Sequence, residues 1–306
     1  MPSLQESLFS FPSAEQVPIL ALSGGGGKTT ALFGLADELS ARGARVLVTT
    51  TTRIRDPRAE GRGFDRFLEI PGAYATSEAT AAVPLAAGLA ADPAAAAPPG
   101  RGPVTVLCAG VEGGKLVGLD PGIFPALAAS GRWDAILVEA DGARMRPVKA
   151  PAPYEPVWPA GTTSALGVVG LDCLGRPLDD RVAHRPELLG ALVGLEPGGT
   201  IELGHLLRLA RHPEGLFRGV PGGARRILVL NKADLRPDLD PGALADRTAA
   251  GLAEPGPAAP TGSALRPGPG TPGIDLVLVC SLGDPDPRRR VRAAHKVAGV
   301  FKRREP

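Results

Sequence analysis

Apolar residues along this chain fall into two kinds of run. Val17 to Leu22, Arg45 to Thr50, Asp134 to Val138, Ala165 to Leu171, Arg225 to Leu230 and Ile274 to Cys280 are short and apolar without alternation. Such runs predict strands buried on both faces of a parallel sheet. Between them, the apolar positions of Ala31 to Leu39, of the segment starting near Pro186, and of Ile201 to Arg211 recur at helical spacing. Strands alternating with helices predict an α/β fold with a mostly parallel sheet and helices on both faces. Weaker patterns add strands at Asp65 to Ile70 and Pro103 to Ala109, a turn at Gly113-Gly114 and a short helix over Pro121 to Ser130. Arg288 to Phe301 predicts a basic amphipathic terminal helix with its apolar face on the sheet.

Two stretches break the pattern. Residues 78–102 are mostly alanine and proline, and 240–273 are rich in alanine, proline and glycine. The first predicts a helical half followed by a surface loop, the second one short helix and then a long loop. Both read as insertions in a single domain spanning residues 1–306.

Composition narrows the classes of function. A net charge of +2 on 306 residues leaves no electrostatic footprint for nucleic acid. Cys108, Cys173 and Cys280 are far apart and form no Cys-x-x-Cys, which argues against a metal cage or a disulfide framework. Met1 to Pro12 lacks a basic start and a continuous apolar segment, so no signal peptide is expected. With no run long enough to span a bilayer, the expectation is a cytoplasmic protein without a membrane partner.

The chemistry starts at Leu22-Ser23-Gly24-Gly25-Gly26-Gly27-Lys28-Thr29-Thr30, between the first strand and the first helix. Strand, glycine loop and helix is the setting in which G-x-x-x-x-G-K-[ST] denotes a phosphate-binding loop. Glycines let backbone N–H groups converge on an anion, and the helix start adds its positive dipole end. Lys28 supplies a charge for the β and γ phosphates, and the Thr29 hydroxyl a ligand for Mg²⁺. Leu22 stands where the strict pattern has its first glycine. The ligand predicted is a nucleoside triphosphate on a P-loop NTPase fold.

Later strand ends extend the site. Thr49 to Thr52 either bring a hydroxyl near the γ-phosphate or simply suit a strand end. Val138-Glu139-Ala140-Asp141-Gly142 places carboxylates where the metal-side acid of a phosphate-loop protein is expected. Asp172-Cys173-Leu174-Gly175 is a rival for that role. Pro147 to Pro159, with Lys149, Tyr154, Glu155 and Trp158, is too proline-rich for a helix. Arg181 to Glu187 either binds an anion or is a solvated helix start. Asn231-Lys232-Ala233-Asp234 follows a buried strand and fits guanine. The Asp234 carboxylate accepts from the two adjacent donors of guanine and faces a lone pair in adenine, so GTP is favoured over ATP. Asn231 can bond another base edge, and the Lys232 stem can lie on the ring.

In their order, these motifs resemble the YqeC-type family, assigned as accessory proteins of selenium-dependent molybdenum hydroxylases. Lys149-Ala150-Pro151 and His184-Arg185-Pro186-Glu187 add to the likeness, which runs from about Val17 to Gly283. Glu139-x-x-Gly142 also resembles the glutamate form of the metal-side motif in GTPases of metallocentre assembly, which favours Glu139 over Asp172. The resemblance implies a role in maturing a selenium- and molybdenum-containing cofactor, with the hydroxylase or its assembly proteins as partners. The expectation is Mg²⁺-dependent GTP hydrolysis. Lys28, Glu139 and Asp141 are the catalytic candidates, and Thr29 with Glu139 or Asp141 the metal side. Gly24 to Thr30, Asn231, Lys232 and Asp234 hold the nucleotide. A small-molecule kinase using the same loop, and a docking protein switched by bound nucleotide, are the alternatives.

Overall fold

The continuous apolar runs form strands in the computed structural model, which describes Leu8 and residues 17–70, 99–254 and 273–297. In chain order the elements are β1 (Ile19–Gly24), α1 (Lys28–Ser40), β2 (Val46–Thr50), β3 (Arg53–Arg55), β4 (Arg66–Glu69), β5 (Val104–Cys108), β6 (Gly110–Glu112) and β7 (Lys115–Val117). They continue with α2 (Phe124–Ala129), β8 (Ala135–Glu139), β9 (Val148–Lys149), β10 (Ser164–Gly170), β11 (Ala183–His184), α3 (Pro186–Val193) and α4 (Leu203–Arg211). The last are β12 (Arg225–Asn231), α5 (Pro241–Ala253), β13 (Leu276–Cys280) and β14 (Val291–Lys296).

Nine strands make one sheet in the order β14-β13-β12-β10-β1-β8-β2-β5-β4. Every pairing is parallel except β13 with β14. Because strand side chains alternate between faces, each apolar run feeds two cores. Leu20, Leu22, Val46, Val48, Leu137 and Leu166 pack with Leu32, Leu35 and Leu39 of α1 on one face. Ile19, Ala21, Leu47, Ile136 and Val138 face the other way, in a core shared with Phe124 of α2, Leu189 of α3, Leu206 of α4 and Leu244 of α5. Two-sided burial explains why these strands read as unbroken apolar runs. The result is an α/β protein of the P-loop NTPase type, with a mostly parallel sheet and helices on both faces.

Two small sheets flank the large one: antiparallel β3-β7-β6, turning at Gly113-Gly114, and the parallel pair β9 and β11. Among the described residues the terminal helix expected over Arg288 to Phe301 is not formed. Residues 291–296 are instead the antiparallel edge strand β14, which buries Val291 and Ala293 while Arg292 between them is partly exposed. A two-residue repeat against the open edge of β13 overrides the helix propensity of the alanine, arginine and lysine present. Residues 298–301 of that expectation lie outside the described residues, as do residues 78–98 of the first insertion. In the second insertion α5 is the short helix expected, capped by the Asp240 carboxylate accepting from Ala243 N, and residues 255–272 lie outside the described residues. All three cysteines are buried as free thiols. No helix among the described residues is long and apolar enough to cross a membrane.

Candidate functional site

Parallel pairing puts the carboxyl ends of β1, β8, β10 and β12 along one edge of the sheet. β1 lies between β8 and β10, with Leu22 opposite Glu139, and Gly24 opposite Val168. On the far side of β10, Gly170 stands opposite Asn231. Crevices at this edge are where open α/β sheets take ligands.

Leu22 is a buried strand residue, so the departure from the strict glycine pattern has a simple cause. The chain stays extended through Leu22 and turns two residues later, at Gly24, which has φ +96°. A Cβ there would lie 2.3 Å from the Val168 carbonyl oxygen, a distance only glycine permits. The loop then divides into two halves. On the entry side the amides are spent inside the protein. Gly24 N donates to the Asp141 carboxylate at 3.1 Å, Gly25 N to the Val168 carbonyl at 2.8 Å, and Gly26 N to the Arg146 carbonyl at 2.9 Å. On the exit side Gly27 has φ 117° and opens α1 with no side-chain cap. The first-turn amides of a helix have no intrahelical acceptor, so Lys28, Thr29 and Thr30 present theirs at this end.

Beside those amides sit Lys28 and two carboxylates. Lys28 is buried; its Nζ donates to the Gly24 carbonyl at 2.6 Å and lies 3.2 Å from Asp141 and 3.6 Å from Glu139. Burial opposes its charge, but Asp141 and then Glu139 outweigh that and hold its pKa above the usual lysine value. Glu139 accepts from the Thr29 hydroxyl at 2.8 Å, and burial raises its pKa against the pull of Lys28 and Thr29. The structure therefore separates the pair that the sequence left together. Glu139 is joined to the Thr29 hydroxyl. Asp141 is locked between the Gly24 amide, Lys28 and Lys149.

Lys149 is the residue whose role the motifs did not disclose. It is fully buried, and its Nζ donates to the Gly142 carbonyl at 2.7 Å and to Glu155 at 2.7 Å, with Asp141 3.1 Å away. Glu155 is held in turn by Arg185 at 2.8 Å, and these two cations keep its carboxyl below the usual range despite burial. Glu139, Lys28, Asp141, Lys149, Glu155 and Arg185 thus alternate in sign along one chain of contacts. A lysine inside the apolar stretch Val148 to Ala150 was the available signal, since a charge there needs partners.

The remaining candidates are placed as follows. Thr49, Thr50 and Thr51 donate their hydroxyls to main-chain carbonyls of Leu107, Glu139 and Val157, which is a strand-end role. Asp172 is paired with Lys232 at 2.7 Å on the β12 side. Asn231 ties loops together: its amide nitrogen donates to the Gly26 carbonyl at 2.7 Å and its oxygen accepts from Leu282 N at 2.9 Å. Lys232 adopts φ 64°, and Asp234 is exposed, anchored by its backbone N–H to the Ser281 hydroxyl at 3.1 Å. The Asp234 carboxylate has no hydrogen-bond partner among the described residues. Arg185, from the basic cluster, is committed to Glu155 and the Ala150 carbonyl.

Comparison with known proteins bears on this geometry. The family model described as "YqeC protein" matches residues 20–187, which include the glycine loop, Glu139, Asp141, Lys149 and Arg185. The chain belongs to the YqeC family. It is 33% identical over 216 residues to the "Uncharacterized protein YqeC" of Escherichia coli (strain K12), covering 70% of this chain and 75% of that relative. No solved structure matches. The family match ends before β12, so the Asn231 to Asp234 segment rests on the geometry given above.

Proposed function

We propose that this member of the YqeC family is a Mg²⁺-dependent GTPase that serves as an accessory factor in maturing a selenium-dependent molybdenum hydroxylase or its cofactor. The observation that carries the enzymatic part is the contact between Thr29 and Glu139 at 2.8 Å, beside Lys28 and the uncapped start of α1. Two hard oxygen donors in contact fit a Mg²⁺ ion, which takes carboxylate, hydroxyl and phosphate oxygens. Thr29 and Glu139 would hold that ion, and it would supply charge neutralisation at the β and γ phosphates.

The rest of the work falls to the chain's own groups. The Gly27 to Thr30 amides and Lys28 bind the phosphates. Asp141 does not touch the metal in this reading; it fixes Gly24 and the resting position of Lys28. Asn231 holds the loop to the base side, and the free Asp234 carboxylate reads guanine. The maturation role and the hydroxylase partner are drawn from the family resemblance. The kinase alternative needs the Arg181 to Arg185 cluster to grip an anionic acceptor, and within that cluster the Arg185 guanidinium is committed to Glu155.

The test is calorimetric titration of GTP into wild type and Lys28→Ala in the presence of Mg²⁺. The proposal expects binding by the wild type and a severe loss in a variant that still folds. Equal affinities would remove the phosphate site.

A further inference from the structure

Between Gly142 and Val148 the chain makes a tight hook. Arg144 and Met145 have φ 48° and 62°, consecutive left-handed residues that are neither glycine nor asparagine. Such backbone is strained for an L residue with a side chain, and the strain persists where surrounding contacts over-determine it. Here the contacts are visible. Arg146 N donates to the Ala143 carbonyl at 2.9 Å, the Arg146 carbonyl accepts from Gly26 N at 2.9 Å, and the Pro147 carbonyl accepts from Gly170 N at 2.9 Å. A Cβ on Gly25 would lie 2.6 Å from the Arg146 carbonyl oxygen. The hook therefore lays the Arg146 main chain directly on the glycine loop, from which its side chain starts. Its guanidinium has no hydrogen-bond or ion-pair partner among the described residues.

Charge at the site gives that guanidinium a purpose. Around the loop Lys28 and Lys149 are matched by Glu139 and Asp141, so the built site carries no surplus positive charge. Phosphoryl transfer spreads negative charge over the oxygens of the moving group, and a cation placed there accelerates the step. We infer that Arg146 is a catalytic residue supplied in cis, its guanidinium bonding the γ-phosphate oxygens in the transition state. This rests on the GTPase reading proposed above. In the step, a water oxygen bonds to the γ-phosphorus while its bond to the β–γ bridging oxygen breaks. The electron pair of that bond leaves with the diphosphate, the water proton passes to the inorganic phosphate, and Arg146 stays protonated throughout.

The experiment compares wild type, Arg146→Ala, Arg146→Lys and Arg144→Ala by three readouts. These are single-turnover GTP hydrolysis, affinity for a non-hydrolysable GTP analogue, and affinity for GDP with aluminium fluoride, which mimics the moving phosphoryl group. Arg146→Ala should lose on the order of a thousand-fold in rate. It should also lose the fluoride complex, with analogue affinity within about threefold of wild type. Arg146→Lys should keep the fold and stay well below wild type in rate, because a point charge does not reproduce the planar fork. If Arg146→Ala hydrolyses GTP and binds the fluoride complex like an active wild type, the inference fails and the GTPase reading stands. A larger loss in Arg144→Ala also overturns it. A wild type that binds GTP but neither hydrolyses it nor forms the fluoride complex overturns both.

Discussion

Replacing Lys149 by methionine removes a charge from the centre of the buried chain while keeping most of its volume. The side chain is fully buried, so the change creates little cavity, and its effect is electrostatic. In the wild type three cations face three anions; in Lys149→Met, Lys28 and Arg185 face Glu139, Asp141 and Glu155. Asp141 keeps Lys28 and the Gly24 amide, Glu155 keeps Arg185, and the Gly142 carbonyl loses the donor it holds at 2.7 Å. Breaking a buried pair by removing one partner costs about 3–5 kcal/mol. For a chain of this size each kcal/mol moves the midpoint by about 2 °C, so the Tm should fall by about 6–10 °C. Thermal unfolding of wild type, Lys149→Met, Glu155→Gln and the double variant measures this. The double variant should be more stable than the sum of the two losses predicts by about 1 kcal/mol or more, since neutralising Glu155 removes part of the uncompensated charge. A Tm within about 2 °C of wild type for Lys149→Met, or strict additivity, would refute the claim that Lys149 holds the network.

Two further outcomes are expected. Glu139→Gln should lower Mg²⁺-dependent turnover on the order of ten- to a thousand-fold, and more than Asp172→Asn does, because Asp172 pairs with Lys232 instead of Thr29; single-turnover assays in which Asp172→Asn suffers the larger loss would reverse the assignment. Burial, and after it Arg185, Lys149 and Arg144, push the His184 pKa down to about 4 against the opposing effect of Glu155. The unfolded chain therefore binds the extra proton first. The stability that neutral His184 contributes is complete above its ordinary pKa of 6.5 and is lost as pH falls from there toward about 4. Urea unfolding between pH 7 and 5 should show a steeper loss for wild type than for His184→Gln; parallel losses would contradict the shift.

The strands that build the large sheet were legible because burial on both faces leaves runs of apolar residues, as in Ile19 to Leu22 and Val46 to Val48. The glycine loop was legible because its chemistry is local: a nest and a helix start need only consecutive residues. Contacts between distant residues were not. Lys149 finds Glu155 nearby but reaches Arg185 only through the pairing of β9 with β11, strands of two residues each with no periodicity to read. Asn231 bonds the Gly26 carbonyl across the sheet edge, so its loop-tying role depends on β10 lying between β1 and β12. The terminal segment was misread for a related reason. Its composition favours a helix, whereas the unpaired edge of β13 decides the conformation of Val291 to Lys296.

Base selectivity tests the central claim most directly. The Asp234 carboxylate is exposed and uncommitted at the end of β12, so guanine can supply both donors it lacks. Bound adenine would displace water from that carboxylate and face it with a lone pair, at a cost on the order of 2–4 kcal/mol. In competition binding, GTP should displace a fluorescent GTP analogue at a concentration roughly thirty-fold or more below that of ATP. Asp234→Asn exchanges an acceptor for a donor and should shift preference toward xanthosine triphosphate, which carries a carbonyl where guanine has its amine. If the wild type takes ATP as readily as GTP, or binds neither, Asn231 to Asp234 is a strand-end turn and the GTPase account is wrong.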